Sequence, residues 1–143
     1  THSPMLIEKM LDLLPLKKLD LVVASRFAKG GMEIGLSSIR KLYSRGAMYF
    51  FKLFFPIRNL NDYSSGYRAY NMGVLRRAYN RWNGLVTSNG FECMAEIAAK
   101  LSRMKINAAE VPLVLRYDFK KGKSKMKVAS TVRGYFSLLG KVR

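Results

Sequence analysis

Asn61-Asp62-Tyr63-Ser64-Ser65-Gly66-Tyr67-Arg68-Ala69-Tyr70 sets an acid, hydroxyls, a glycine and an arginine between two hydrophobic runs. Glycine at 66 permits a sharp turn or a close backbone approach. Tyr67 and Ala69 then lead into a short strand. Asp62 is thus expected on the loop ahead of it, where a rigid scaffold can hold a functional side chain. The same spacing also makes an ordinary turn in which the carboxylate serves its own backbone. Asp62 is a candidate catalytic residue and Arg68 a candidate neighbour, with the turn as the plain alternative.

Upstream, Asp20-Leu21-Val22-Val23-Ala24-Ser25 is a short apolar run, expected as a buried strand. It ends at Arg26, and Lys29-Gly30-Gly31 opens a flexible loop. A strand entering a basic, glycine-containing loop suits a phosphate and equally suits the simple end of a strand. Leu36 to Phe55 reads as a long helix closed by Pro56. Leu36, Ile39, Tyr43, Phe50 and Phe54 form its expected core stripe. A second line, Arg40, Ser44, Met48, Phe51 and Phe55, runs from cationic to aromatic along one side. It fits an amphiphile with an anionic head, with Met48, Phe51 and Phe55 against the tail. Burial all round explains the phenylalanines as well. Nearer the start, Ser3 and Pro4 suit a helix opening, and Leu6, Met10, Leu13 and Leu14 carry helical spacing up to Pro15.

Downstream, Met72 to Tyr79 is predicted as a short helix and Asn80 to Asn89 as a loop. Ser88 or Asn89 then caps a helix to about Met104 that buries Phe91, Met94, Ala95, Ala98 and Leu101. Glu92 and Glu96 share a face of that helix. Both look into a cleft, or Glu96 pairs with Lys100 at the surface. Ile106 to Tyr117 reads as extended, with Pro112 requiring an edge strand or a bulge. Arg116 to Met126 is strongly basic: a solvated loop, or a flap that closes on phosphates. From Lys125 a basic amphipathic helix follows, with Val128, Val132, Tyr135, Phe136 and Leu139 as its apolar stripe.

Composition narrows the classes. The 143 residues are 49% hydrophobic, enough for one domain with a core. Lys and Arg number 26 against 9 Asp and Glu, a formal charge of +17, so polyanionic partners are expected. Cys93 is the only cysteine, which rules out an intrachain disulfide and fits a reducing compartment. His2 is the only histidine, which excludes the usual Cys/His zinc sites. Charge interrupts each long apolar run, and no signal peptide or spanning segment is read. The start at Thr1, in the lead-in to a helix, reads as a piece of a longer protein.

The segments together resemble family-2 glycosyltransferases of the dolichol- or polyprenyl-phosphate sugar synthase type. Members carry Asp-Ala-Asp-Leu-x-His-x-Pro, of which Thr1-His2-Ser3-Pro4 matches the tail. They carry Val-Val-x-Ser-Arg-(Tyr/Phe) and a glycine pair, matched by Val22 to Phe27 and by Gly30-Gly31. Arg-Lys-x-x-Ser-x-Gly is matched from Arg40 to Gly46, and Asp-x-x-Ser-Gly-(Tyr/Phe)-Arg from Asp62 to Arg68. Gly-(Phe/Tyr)-Glu with a second Glu follows at Gly90 to Glu96, Glu-Val-Pro at Glu110 to Pro112, and a closing basic motif at Arg116 to Met126. The order is kept across nearly the whole chain.

The resemblance implies a truncated GT-A α/β fold, with residues 1–143 as the C-terminal, acceptor-binding portion of one catalytic domain. The nucleotide-binding half, and an Asp-x-Asp pair holding a divalent metal (Mg or Mn), are expected upstream of Thr1. This portion alone is expected to be inactive. The implied reaction is inverting transfer from a nucleotide-sugar to a polyprenyl phosphate on the cytosolic face of a membrane. By position, Arg26, Arg40 and Ser44 match acceptor-phosphate residues and Asp62 the acid near the reaction centre. Lys125 matches the flap lysine, and either Arg116 or Lys120 the flap phosphate ligand. Glu92 and Arg68 are possible active-site residues. A GT-A enzyme with a soluble or glycan hydroxyl acceptor is the nearest alternative. A basic nucleic-acid- or membrane-binding module without catalysis is the other. The aromatics fall in apolar stripes rather than interleaving with the cations, so nucleic acid is not expected.

Overall fold

The computed structural model describes residues 4–88, 90, 92–118 and 128–142. In chain order it has α1 (Met5–Leu16), β1 (Leu21–Ser25), β2 (Met32–Ile34), α2 (Ser38–Phe54), β3 (Arg68–Tyr70) and α3 (Met72–Trp82). Then come α4 (Cys93–Ser102), β4 (Ala108–Pro112), β5 (Val114–Arg116) and α5 (Val128–Lys141). This is a mixed α/β arrangement.

β1 is the organising strand. It lies between β3, antiparallel with Val22 opposite Ala69, and β4, parallel with Val23 opposite Glu110. All of its residues are buried, which explains an apolar run without alternation: both faces of the strand are covered. Leu21 and Val23 pack into one core with Phe51, Phe55, Val74, Ala98, Leu101 and Leu138. Val22 and Ala24 face the other way, onto Met10 of α1 and onto Val111 and Leu113. Leu6, Leu13 and Leu14 close that second cluster as their spacing predicts. Pro15 is tolerated in the last turn of α1. β2 and β5 form a separate parallel pair. Pro112 ends β4 where the chain leaves one sheet for the other, so its missing N–H costs no ladder bond.

Several expectations need correction. The core side of α2 runs through Ala47, Phe50, Phe51 and Phe55, with Phe51 and Phe55 fully buried and Phe50 packed against the core as expected. Phe51 stacks on Tyr63 at 5.1 Å and meets Tyr135 edge-on at 4.9 Å. Ile39, Tyr43 and Phe54, expected in the core, are exposed. Both stripes are apolar enough to be buried, and the partners decide: the aromatic half of the second line meets β1, Tyr63 and α5. Phe51 and Phe55 are packed against other side chains rather than open to a lipid tail.

β2 is a strand where a flexible loop was expected; three residues carry too little pattern to announce one. α3 runs on to Trp82 and ends at Asn83, whose left-handed φ of 48° closes it. On α5 the buried line is Thr131, Tyr135 and Leu138, continued by Val142 just after the helix, whereas Phe136 is exposed and rests on Phe50 at 5.1 Å. Gly66 has no positive φ, and a Cβ there would only touch Met94 at 3.9 Å. Gly31 and Gly35 are glycines that geometry requires: a Cβ would fall 2.5 Å from the Ser25 carbonyl oxygen at the first and 2.7 Å from the Asp118 backbone nitrogen at the second, where φ is 76°.

Candidate functional site

The site gathers at the carboxyl end of β1, the end of an open α/β sheet where ligands bind. β3 runs antiparallel to β1, so the 56–67 segment returns beside Arg26. Ser65 Oγ donates to the Ala24 carbonyl at 2.8 Å and Ala24 N–H to the Tyr67 carbonyl at 2.9 Å, fixing loop to strand end. From β4, Glu110 accepts from the backbone N–H groups of Asn61 (2.7 Å) and Asp62 (2.8 Å) and from Asn61 Nδ2 (2.8 Å). The acid of the Glu-Val-Pro motif thus holds the Asp62 loop. Its role was not apparent in the sequence because its partners are 48 and 49 residues away.

Asp62 is completely buried. Arg26 grips it bidentately: Nε donates to Oδ2 and Nη2 to Oδ1, each at 2.8 Å. Nη2 also reaches Ser64 Oγ at 2.7 Å. The backbone N–H of Ser65 donates to Asp62 Oδ1 at 3.0 Å and that of Ser64 at 3.3 Å. The turn expected as the plain alternative is therefore present, and the same carboxylate carries the buried ion pair. Burial alone would raise the Asp62 pKa. The hydrogen bonds and charge of Arg26, with the Arg26 and Ser65 N–H groups, outweigh it and hold the carboxyl below its ordinary value. Burial opposes the Arg26 charge too, yet Asp62 and then Glu33 raise its pKa.

Glu33 on β2 completes the cluster. Its Oε1 lies 3.0 Å from Arg26 Nη1 and accepts from Ser44 Oγ of α2 at 3.3 Å. The Arg26 and Glu33 side chains are only 10% and 11% exposed, at the rim of the buried pair. Glu33 carries no sequence signal, being one acid in a segment expected as a loop. Arg40, one turn before Ser44, is half-buried on the same side of α2. So the structure brings Arg26, Ser44 and Asp62 together, with Arg40 on the adjoining turn.

Other candidates separate. Arg68 is a clamp for backbone: it donates to the carbonyls of Ser65 (2.6 Å), Tyr63 (2.6 Å) and Met94 (2.7 Å). Glu96 is buried, not at the surface or in a cleft. It lies 3.0 Å from Lys100 Nζ and accepts from the N–H and hydroxyl groups of Thr87 and Ser88. Burial raises its pKa, but Ser88, Lys100 and Thr87 bring it down to about 2.

Glu92 parts from Glu96, since it stands at the N-terminal cap of α4. Its side chain lies against Gly134 of α5, where a Cβ would come 2.9 Å from Glu92 Cδ. Beside it, the Tyr135 phenol is pushed up to about 12, first by burial, with Glu92 and Asp62 adding and Arg26 and Arg68 opposing. Tyr135 therefore stays a neutral O–H at the edge of the cluster. Arg116 on β5 is exposed and pairs with Asp118 at 2.6 Å. Lys120, Lys125 and Phe91 lie outside the described residues, as do Thr1, His2 and Ser3.

Among the described residues no group of three or more His, Cys, Asp or Glu side chains is placed to hold a metal ion. The carboxylates of Asp62 and Glu33 converge on a guanidinium instead. This donor set does not fit a divalent cation. No helix among the described residues is long and apolar enough to cross a membrane.

No protein-family model matches the chain. The undecaprenyl-phosphate mannosyltransferase of Micrococcus luteus is 26% identical over 126 residues, covering 88% of this chain and 49% of the relative. The chain thus spans about half the length of that curated relative. The similarity relates it to the glycosyltransferases.

Proposed function

We propose that this chain is the acceptor-side portion of a family-2, GT-A glycosyltransferase that inverts the sugar as it moves it from a nucleotide-sugar to a polyprenyl phosphate. The observation that carries the reading is the convergence of Arg26, Ser44 and Asp62, drawn from three separated motifs, at the carboxyl end of β1. The similarity to a mannosyltransferase named for its undecaprenyl-phosphate acceptor supports the same substrate class.

In this reaction an acceptor phosphate oxygen attacks the anomeric carbon as the bond to the nucleoside diphosphate breaks. The phosphate, with a second pKa near ~6, is mostly dianionic at neutral pH and needs no general base. Asp62 fits that chemistry. A buried carboxylate saturated by Arg26 and backbone N–H groups is a poor proton acceptor and a good orienting group for a cation. Arg26 and Ser44, with Arg40 beside them, supply donors for the phosphate.

The outward side of α2 supports a membrane surface as partner. Ile39, Leu42, Tyr49 and Leu53 form an exposed apolar stripe, and Lys41, Arg45 and Lys52 lie along its flank. Apolar side chains beside cations suit an anionic lipid interface. Lipid contact thus moves from Phe51 and Phe55 to the opposite side of the helix.

The test is acceptor dependence in the intact protein. Sugar is expected to pass to a short-chain polyprenyl phosphate and not to the corresponding polyprenol or to soluble glycans. Leu42→Ser/Leu53→Ser is expected to lose vesicle association while retaining turnover on the short acceptor. Transfer to a hydroxyl acceptor would assign the chain to the soluble-acceptor enzymes. No transfer, with nucleic-acid binding in its place, would overturn the enzyme reading.

A further inference from the structure

The Glu33 carboxylate lies between the two groups offered to the acceptor phosphate. Its Oε1 is 3.0 Å from Arg26 Nη1 and 3.3 Å from Ser44 Oγ. An oxyanion held by a guanidinium and a hydroxyl is what a bound phosphate oxygen would be. Arg26 meets its two acids unequally. Nε and Nη2 are committed to Asp62, which is fully buried and also held by the Ser64 and Ser65 N–H groups. Nη1 meets only Glu33 of the two acids, and Glu33 reaches the site from β2, a three-residue strand of a two-stranded sheet. An incoming dianion therefore competes with Glu33 and leaves the Asp62 pair in place.

We propose that Glu33 is a displaceable stand-in for the acceptor phosphate, occupying the Arg26–Ser44 site until a phosphate monoester replaces it. This rests on the acceptor-phosphate reading above. Asp62 already neutralises the Arg26 charge, and the Glu33 carboxylate satisfies the Nη1 donors that Asp62 does not reach until phosphate binds. It also sets a threshold: a ligand must out-compete one carboxylate, which a dianionic phosphate ester does better than a monoanion. Once displaced, Glu33 carries a negative charge beside a dianion and is expelled toward the rim. No covalent step is involved.

The experiment uses the intact protein with a short-chain, water-soluble polyprenyl phosphate, measuring its Kd by calorimetry and its KM in turnover. Glu33→Gln keeps the shape and removes the charge. It is expected to tighten acceptor binding by roughly tenfold, a change of about 1.4 kcal/mol, with the KM for the nucleotide-sugar unchanged. Arg40→Ala and Ser44→Ala are expected to weaken acceptor binding. Inorganic phosphate as a competitive inhibitor is expected to gain in Glu33→Gln by the same factor, which separates headgroup from tail.

If Glu33→Gln leaves acceptor binding unchanged or weakens it, while Arg40→Ala and Ser44→Ala raise Kd, Glu33 is no stand-in and the acceptor reading survives. If none of these variants alters acceptor binding, the acceptor reading fails as well. Loss of fold in Glu33→Gln would show as a lowered Tm. Glu33→Asp then decides, because a shorter carboxylate that cannot reach both partners is still expected to tighten the acceptor.

Discussion

Arg26→Met in the intact protein is expected to lower stability by about 3–5 kcal/mol, because it leaves the Asp62 carboxylate buried without its cation. Asp62 has no solvent exposure, so water cannot take over the bidentate contact. Arg26→Lys is expected to recover only part of the loss. An ammonium is a point charge and cannot bond both oxygens of Asp62, Ser64 Oγ and Glu33 at once. Denaturant unfolding of the three proteins measures this. Asp62→Asn should fall between them, since the amide is neutral and keeps one acceptor oxygen. A loss below about 1 kcal/mol in Arg26→Met would mean that the pair behaves as a surface ion pair.

The second large effect is near the C-terminal end of α4. Lys100→Met is expected to cost about 3–5 kcal/mol by stranding the buried Glu96 charge. Lys100 Nζ also donates to the carbonyls of Gly84 and Leu85, so the lost contacts extend into the 84–88 loop. The pH dependence follows from the Glu96 carboxyl, which titrates near 4.5 when unfolded and at about 2 when folded. A depressed folded pKa gives stability that is full above the unfolded value. It is lost as pH falls from about 4.5 toward about 2. Asp62, also depressed, acts in the same direction. Acid unfolding followed by circular dichroism is expected to show a steep loss below pH 4.5 that flattens in Glu96→Gln/Lys100→Met. A double variant with an unchanged acid limb would place the titration elsewhere.

Much of this was legible in the sequence. The apolar run Asp20–Ser25 reads as a buried strand and is one, covered on both faces, whereas the single extended segment read over Ile106–Tyr117 with Pro112 near its middle is two strands that part after that proline. Asp62 on a loop ahead of β3 followed from Gly66 and the hydrophobic residues after it, although Gly66 itself adopts an ordinary backbone. What local pattern could not decide was which of two apolar stripes on α2 turns inward. Ile39 and Phe51 are equally hydrophobic, and Tyr63, Tyr135 and β1 make the choice.

The acids were misplaced for a related reason. Glu96 and Lys100 at i,i+4 spacing look like a solvent pair, and only the return of the 84–88 loop buries them. Glu33 and Glu110 act across strand pairings and long loops, so neither announces itself in a window of neighbouring residues.

The central claim is that the attacking group is a phosphate and that Asp62 orients Arg26 without taking a proton. The direct measurement is the acidic limb of kcat/KM for the intact enzyme, with a polyprenyl phosphate and with the matching phosphonate of different pKa. The limb is expected to move by the difference between the two acceptors' pKa values, in the wild type and in Asp62→Asn alike, with Asp62→Asn slower throughout. A limb that ignores the acceptor and disappears in Asp62→Asn would make Asp62 a general base and contradict the account.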